Sequence, residues 1–302
     1  MTANLAASVL ARLLNLARQR GDGYNLLLNR YALERLLCRV AASAHADRFL
    51  LKGALLFSLW YDEPHRPTRD ADLLGFGPDD AETLIATFRD IAAIELDDSI
   101  VFDPASVRAD AIREDYRYGG LRVRLTGRIG NTRCALQIDV GFGDVVTPEP
   151  QSVLFPVLLD DMAAPTLKVY PVYTVIAEKF HAMTVLGLAN TRMKDFFDIA
   201  IIAQRTDLDG AMLARAIAAT FARRGTALPT RAPTALTRAF SDDDSKCRQW
   251  QAFLNKSHIA VAPGNLPETI TLLHTLLWPA TQVAGSGSNA TATWKAPKRQ
   301  WR

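Results

Sequence analysis

The stretch DADLLGF, residues 70 to 76, restricts this chain more than any other, because two aspartates stand one residue apart at the head of an otherwise apolar strand. Strand side chains alternate between faces, so Asp70 and Asp72 share one side. Like charges held together beside a core repel each other and lose hydration, and a cation is expected to compensate them.

The residues around this strand form an ordered unit. FLLKG (49 to 53) reads as a short strand, ALLFSLWYD as a helix and EPHRPTR as a loop leading into the strand at 70. Gly53 falls where strand turns into helix, a place where free backbone N–H groups can face an anion and the helix adds its positive end. Residues 4 to 43 read as two helices broken near GDGYN, and 79 to 93 as another that opens on Asp79 and Asp80. LRVRLTGRIGNTRCALQIDVG, residues 121 to 141, is a hairpin bent at Gly130 and Asn131. On its second strand Asp139 shares a face with Gln137 and Gly141, so a third carboxylate enters a sheet. The proline-rich run 148 to 171 reads as a connector, 172 to 188 and 191 to 204 as a helical pair with more helices to about 278, and 281 to 302 as an aperiodic, flexible, basic tail.

Composition excludes several classes of function. With 49% hydrophobic and 22% charged residues, the chain is that of a folded protein. It contains no apolar run of about 20 residues, so no membrane partner is expected. The N-terminal segment reads as an amphipathic helix with Arg12, Arg18 and Arg20 interspersed, not as a targeting peptide. Cys38, Cys134 and Cys247 are odd in number and far apart, which fits a reducing cytoplasm and argues against disulfides or zinc. The net charge of +3 is outweighed by Lys295, Lys298, Arg299 and Arg302 of the tail, so the folded body is near neutral. Only a local patch could attract nucleic acid.

Two readings of the carboxylates are open. If Asp70, Asp72 and Asp139 lie on neighbouring strands they form one cluster, and Mg²⁺ or Mn²⁺ is its natural neutraliser, with water or substrate phosphates completing the shell. That arrangement suits phosphoryl or nucleotidyl transfer. The plain alternative is that Asp70 closes a strand end, Asp72 pairs with Arg69 or another base, and Asp139 bonds local backbone. Further on, VYTVIAEKFHAMTVL puts Lys179 on an apolar stripe with Val175, Ala182 and Leu186. A lysine there needs an anionic partner or a route to water. In TRMKDFFDIAIIA, Met193, Phe196, Phe197, Ala200 and Ile201 face inward, leaving Arg192, Lys194, Asp195 and Asp198 on the remaining turns.

Strand, glycine turn, helix, loop and DxD together resemble the phosphate-gripping core of DNA polymerase β-like nucleotidyltransferases. The blocks LKGALLFSLW, RPTRDADLL, AEKFHAM and TRMKDFFDI, in that order over residues 48 to 204, are similar to the AbiEii/AbiGii toxin family, which includes toxins of type IV toxin–antitoxin pairs. The resemblance implies an α+β fold: a polymerase β-like mixed sheet with helices over 1 to 165, a mainly helical lobe over 166 to 280 completing an active site between the two, and the tail. It implies catalytic Asp70, Asp72, Asp139, Lys179 and Asp195, with the three aspartates 70, 72 and 139 as metal ligands and Lys52, Gly53, Lys179 and Lys194 against the nucleotide. Asp195 would orient Lys179 or act as a base; a local charge network with Arg192 is the simpler reading. Two departures stand out. Ala54 and then Leu55 follow Gly53 where the family often has glycine or serine after the glycine, and Ala71 stands in the middle of DxD in place of a larger aliphatic.

The implied activity is Mg²⁺- or Mn²⁺-dependent transfer of NMP from an NTP to a hydroxyl, that of the tRNA acceptor end or another RNA. The biological role would be a toxin or phage-defence effector with a cognate antitoxin. Arg113, Arg117, Arg122, Arg124, Arg128 and Arg133 offer a phosphate track, with Tyr116 and Tyr118 to stack on bases; solvated strand faces look the same. The alternatives are a nucleotide- or RNA-binding protein of the same fold without turnover, favoured by Ala54 and Leu55, and a nucleotidyltransferase with a small-molecule acceptor.

Overall fold

Alternating residues build the middle of the molecule's main sheet. In the computed structural model, which describes residues 2–61, 68–112, 119–256, 263–287 and 292–302, strands β4 (Gly120–Ile129) and β5 (Thr132–Phe142) pair antiparallel. They meet where Gly130 adopts φ +55°, the left-handed geometry that a tight turn asks of glycine. Leu121, Val123 and Leu125 bury one side of this hairpin with Leu136, Ile138 and Val140.

The chain divides into two compact units, residues 1–143 with 151–170 and residues 144–150 with 171–302. The first begins with helices α1 (Thr2–Arg20) and α2 (Tyr24–Ala42), followed by β1 (Phe49–Lys52), a short α3 (Phe57–Trp60), β2 (Asp70–Gly75), α4 (Ala81–Ala92) and β3 (Ile100–Ile112). After β4 and β5 come β6 (Gln151–Leu154) and β7 (Thr166–Val169), and the seven strands lie in the order β3-β4-β5-β2-β1-β7-β6. The sheet is mixed: β2 runs parallel to β5, and β1 parallel to β7, while the other neighbours are antiparallel. Helix α2 covers the face that Phe49, Leu51 and Leu73 present, with Leu37 and Val40 meeting them across a cavity of ≈ 170 Å³. Buried Arg39 fastens α2 by a forked pair of bonds to Asp98 at 2.7 and 3.1 Å and by donating to the carbonyls of Ile94 and Ile100. Every charge in that anchor is compensated, which burial demands.

The second unit is mainly helical, built from α5 (Val172–Leu186), α6 (Met193–Arg205), α7 (Gly210–Arg223), α8 (Arg238–Ser241), α9 (Asp244–Lys256) and α10 (Leu266–Ser286). Its small sheet joins β8 (Leu208–Asp209), β9 (Thr293–Lys295) and β10 (Gln300–Trp301) in the order β10-β9-β8. Together the units make the expected fold class, a mixed central sheet with helices and a helical second part.

Four segments differ from the sequence reading. The connector at 148 to 171 contributes β6 and β7, whose alternation is obscured because prolines flank both strands and β6 is an edge. β3 was not expected: an edge strand carrying Pro104 and exposed polar residues lacks a clean two-residue period. The helix expected after Gly53 is a 3₁₀ turn, Gly53–Leu56, plus the single α-turn of α3, too short to hold an anion by its dipole. The tail is ordered over 281–287 and 292–302, because Trp294 is fully buried and donates from Nε1 to the Ala203 carbonyl at 2.7 Å.

Candidate active site

Pairing register lines up four charged residues straight across the first unit's sheet. Lys52 on β1 is opposite Asp72 on β2, Asp72 is opposite Asp139 on β5, and Asp139 is opposite Arg122 on β4. Asp70, two residues before Asp72, lies on the same face opposite Gln137. The row therefore places its two central acids between a lysine and an arginine, on the face opposite the one packed by α2. Side chains of the row are half-buried, where charges interact more strongly than in water.

Gly53 fits this row in a way no other residue could. It holds φ +77°, and a Cβ there would fall 1.9 Å from Oδ2 of Asp72. The strand end and the Asp72 carboxylate thus touch through the missing side chain. Lys52 Nζ stands 5.6 Å from the centre of the Tyr170 ring and reaches towards Gly141, whose own Cβ would lie 3.1 Å from it. Asp70 accepts a hydrogen bond from Thr68 Oγ1 at 2.7 Å.

The structure brings Asp70, Asp72 and Asp139 onto adjacent strands but gives Asp139 a partner that the sequence reading did not assign. Arg122 donates from Nε and Nη2 to the two oxygens of Asp139 at 2.8 and 2.7 Å, and Gln137 adds a donor at 3.3 Å. Among the described residues no group of three or more His, Cys, Asp or Glu side chains is arranged to hold a metal ion. The three-carboxylate cluster is therefore not assembled in this conformation. The remaining pair, Asp70 and Asp72, still offers hard oxygen donors on one face, and Mg²⁺ commonly takes one or two carboxylates with water and substrate phosphates. The donor set fits such an ion on that basis.

In the second unit the expected residues meet. Lys179 on α5 donates to Asp195 Oδ1 at 2.8 Å and lies 2.9 Å from Asp198 Oδ2, both on α6, and Arg192 Nε donates to Asp195 Oδ2 at 2.8 Å. Both aspartates are fully buried, whereas Lys179 keeps some exposure. Burial pushes the Asp195 carboxyl up, but Lys179 and then Arg192 outweigh it and hold the group below the usual carboxylate range. Lys194 is exposed. Asn190 and Lys246, which the sequence did not single out, shape the start of α6: Asn190 Oδ1 accepts from the Arg192 N–H, and buried Lys246 donates to the Asn190 carbonyl at 3.0 Å. Asp198 was seen in sequence only as one more charge of the helix start, although its spacing of three from Asp195 puts both on one side of α6.

Glu178 and His181, expected to be structural, sit in a separate network. Arg224 donates to Asp144 at 2.9 Å, lies 3.8 Å from Glu178, and faces His181 Nδ1, while His181 Nε2 bonds Thr226. Burial, and then the Arg224 charge, push the His181 imidazole down to about 4.

The arginines make no continuous track among the described residues. Arg122 is bound to Asp139, exposed Arg124 pairs with Asp110, and Arg133 donates to Thr126. Arg113, Arg117, Tyr116 and Tyr118 lie outside the described residues, as does Arg66 of the second block. No helix of the described residues is long and apolar enough to cross a membrane.

Comparison with known proteins adds the family. The crystal structure of JHP933 from Helicobacter pylori aligns at 17% identity over 86% of this chain and 94% of that one, with a TM-score of 0.45. A second structure, reported as a candidate nucleotidyltransferase from H. pylori, aligns at 16% identity over 87% and 98% with the same score. No curated protein matches the chain. The family model described as "Nucleotidyl transferase AbiEii toxin, Type IV TA system" matches residues 35–270, well over half of the sequence, and includes both sets of site residues. The chain belongs to the AbiEii nucleotidyltransferase toxin family.

Proposed function

We propose that the protein transfers NMP from an NTP to an RNA hydroxyl, at the acceptor end of tRNA, and does so with a divalent metal ion held by Asp70 and Asp72. The supporting observation is the contact between Asp72 and Gly53, which sets the carboxylate against the backbone turn at the end of β1. Mg²⁺ or Mn²⁺, when bound, supplies positive charge that offsets the charge on the α-phosphate and the departing pyrophosphate.

The chain's own residues supply the rest. Gly53 leaves room for the Asp72 carboxylate at the end of β1, and Lys52 adds a cation at the same end of the row. Lys179, which the family resemblance sets against the nucleotide, offers a compact charge with three donors. Asp195 orients that lysine; fully buried, doubly paired and held below the usual carboxylate range, it is ill suited to take a proton. The acceptor oxygen forms a bond to the α-phosphorus, the bond to the bridging oxygen breaks, pyrophosphate leaves, and the hydroxyl proton passes to water. Exposed Lys194 is assigned to the nucleotide's outer phosphates. In the cell this activity would arrest growth or defend against phage, under restraint by the cognate antitoxin that a type IV system implies.

The test is incubation with Mg²⁺, total tRNA and each α-labelled NTP in turn. Label on tRNA, abolished by EDTA and by Asp72→Ala, is the expected result. Binding of NTP or RNA with no label transferred would favour the non-catalytic reading, and labelling of small hydroxyl compounds in preference to RNA would favour a small-molecule acceptor.

A further inference from the structure

Asp139 occupies the position from which a third carboxylate would join Asp70 and Asp72, since it stands directly beside Asp72 in the register of adjacent parallel strands. Yet both its oxygens accept from the Arg122 fork, at 2.8 and 2.7 Å, the geometry of a bidentate guanidinium–carboxylate pair. A metal ion at about 2.0–2.1 Å from either oxygen would have to use a lone pair turned away from Arg122. It would also stand close to a guanidinium that stays charged at every accessible pH. The two cations therefore compete for one carboxylate. Arg122 is about one-third exposed at its side chain, against 17% for Asp139, so the arginine has the freer route to solvent.

We infer that Arg122 gates the third metal ligand: Arg122 and a divalent cation are alternative partners of Asp139, which joins Asp70 and Asp72 only when Arg122 is engaged elsewhere. This rests on the reading that Asp70 and Asp72 hold the metal. The gate gives the site two states, a weak two-carboxylate site and a tighter three-carboxylate one.

Mn²⁺ binding to the whole nucleotide-free protein, followed by the loss of the free-ion EPR signal, tests it without reference to activity. Arg122→Ala is expected to bind Mn²⁺ at least about fivefold more tightly than the unaltered protein, because a pair of this kind is worth about 1 kcal/mol to Asp139. Asp139→Asn alone, which leaves the Arg122 charge uncompensated beside the site, is expected to give no tightening, and the Arg122→Ala/Asp139→Asn double variant to return affinity to the starting value. Unchanged affinity in Arg122→Ala, or equal tightening in the double variant, would overturn the gate. Arg122→Gln, closer in volume, carries the same expectation should the alanine variant unfold on melting. Asp72→Ala separates the two claims. If it loses Mn²⁺ binding while Arg122→Ala shows no gain, the gate fails and the metal site stands; if the unaltered protein and every variant ignore Mn²⁺, both fall.

Discussion

At the scale of single residues, Asp72 and Gly53 make one contact and give two predictions. Asp72→Ala removes one of the acids in the sheet row and relieves its repulsion with Asp139 beside it and Asp70 on the same face. We expect transfer activity to vanish while the melting temperature stays level or rises, as checked by calorimetry beside the labelling assay. Gly53→Ala puts a methyl group where the Asp72 carboxylate lies and forces an L-residue into φ +77°, at a backbone cost of about 1–2 kcal/mol. Moving the carboxylate aside by about 1 Å should lower kcat about 10²-fold, a larger effect than the loss of stability measured by denaturant titration. Both residues were legible in the sequence, because a DxD at a strand head and a glycine at a strand end each point to a backbone geometry. The partnership between Asp139 and Arg122 was not, since strand pairing between positions 17 apart depends on the hairpin register, which sequence alternation gives only to within a face.

At the scale of elements, α5 and α6 are tied by Lys179 lying between two fully buried aspartates. Lys179→Met removes the cation shared by two buried carboxylates, leaving Asp195 to Arg192, and should cost about 3–5 kcal/mol in unfolding free energy at neutral pH. The sign of its pH dependence is informative. In the unaltered protein Asp195 is held below its unfolded value, so its contribution is present above about pH 4 and is lost as pH falls through the lower folded value. Without the lysine, burial dominates and the folded carboxyl rises, so acidification from pH 7 should instead narrow the deficit. Denaturant unfolding of both proteins between pH 4 and 7 would reveal it. Helices α5 and α6 themselves were readable from their apolar periodicity. Their buried acids were not, because Asp195 and Asp198 fall on turns that the pattern gives to solvent and are carried inside by their cationic partners. The strands β3, β6 and β7 escaped for the opposite reason: short or edge strands interrupted by proline carry too little period to be told from connectors.

At the scale of the whole molecule, the two units should answer acid differently. Glu34 of the first unit is almost wholly buried, and desolvation pushes its carboxyl up to about 7, so the folded unit binds a proton that the unfolded chain releases. Its stabilising effect is full at low pH and fades as pH rises through 7. His181 in the second unit, held neutral down to about pH 4, makes that unit lose stability as pH falls from 6.5 to 4. Hydrogen exchange corrected for intrinsic rates should show protection growing around α2 and shrinking around α5 on going from pH 7 to 5; His181→Asn should flatten the second trend. The closing strands carry a consequence of a different sort. Thr293 and Arg302 exchange backbone hydrogen bonds at 2.7 and 2.9 Å, and Gly210 donates to the Ala292 carbonyl, while the Trp294 indole is seated against α6. Residues 292–302 are thus a stopper in the helical unit: a chain shortened to residue 287 would leave an indole-sized hole uncorked, and the shortened protein should bind a hydrophobic dye and precipitate on mild warming.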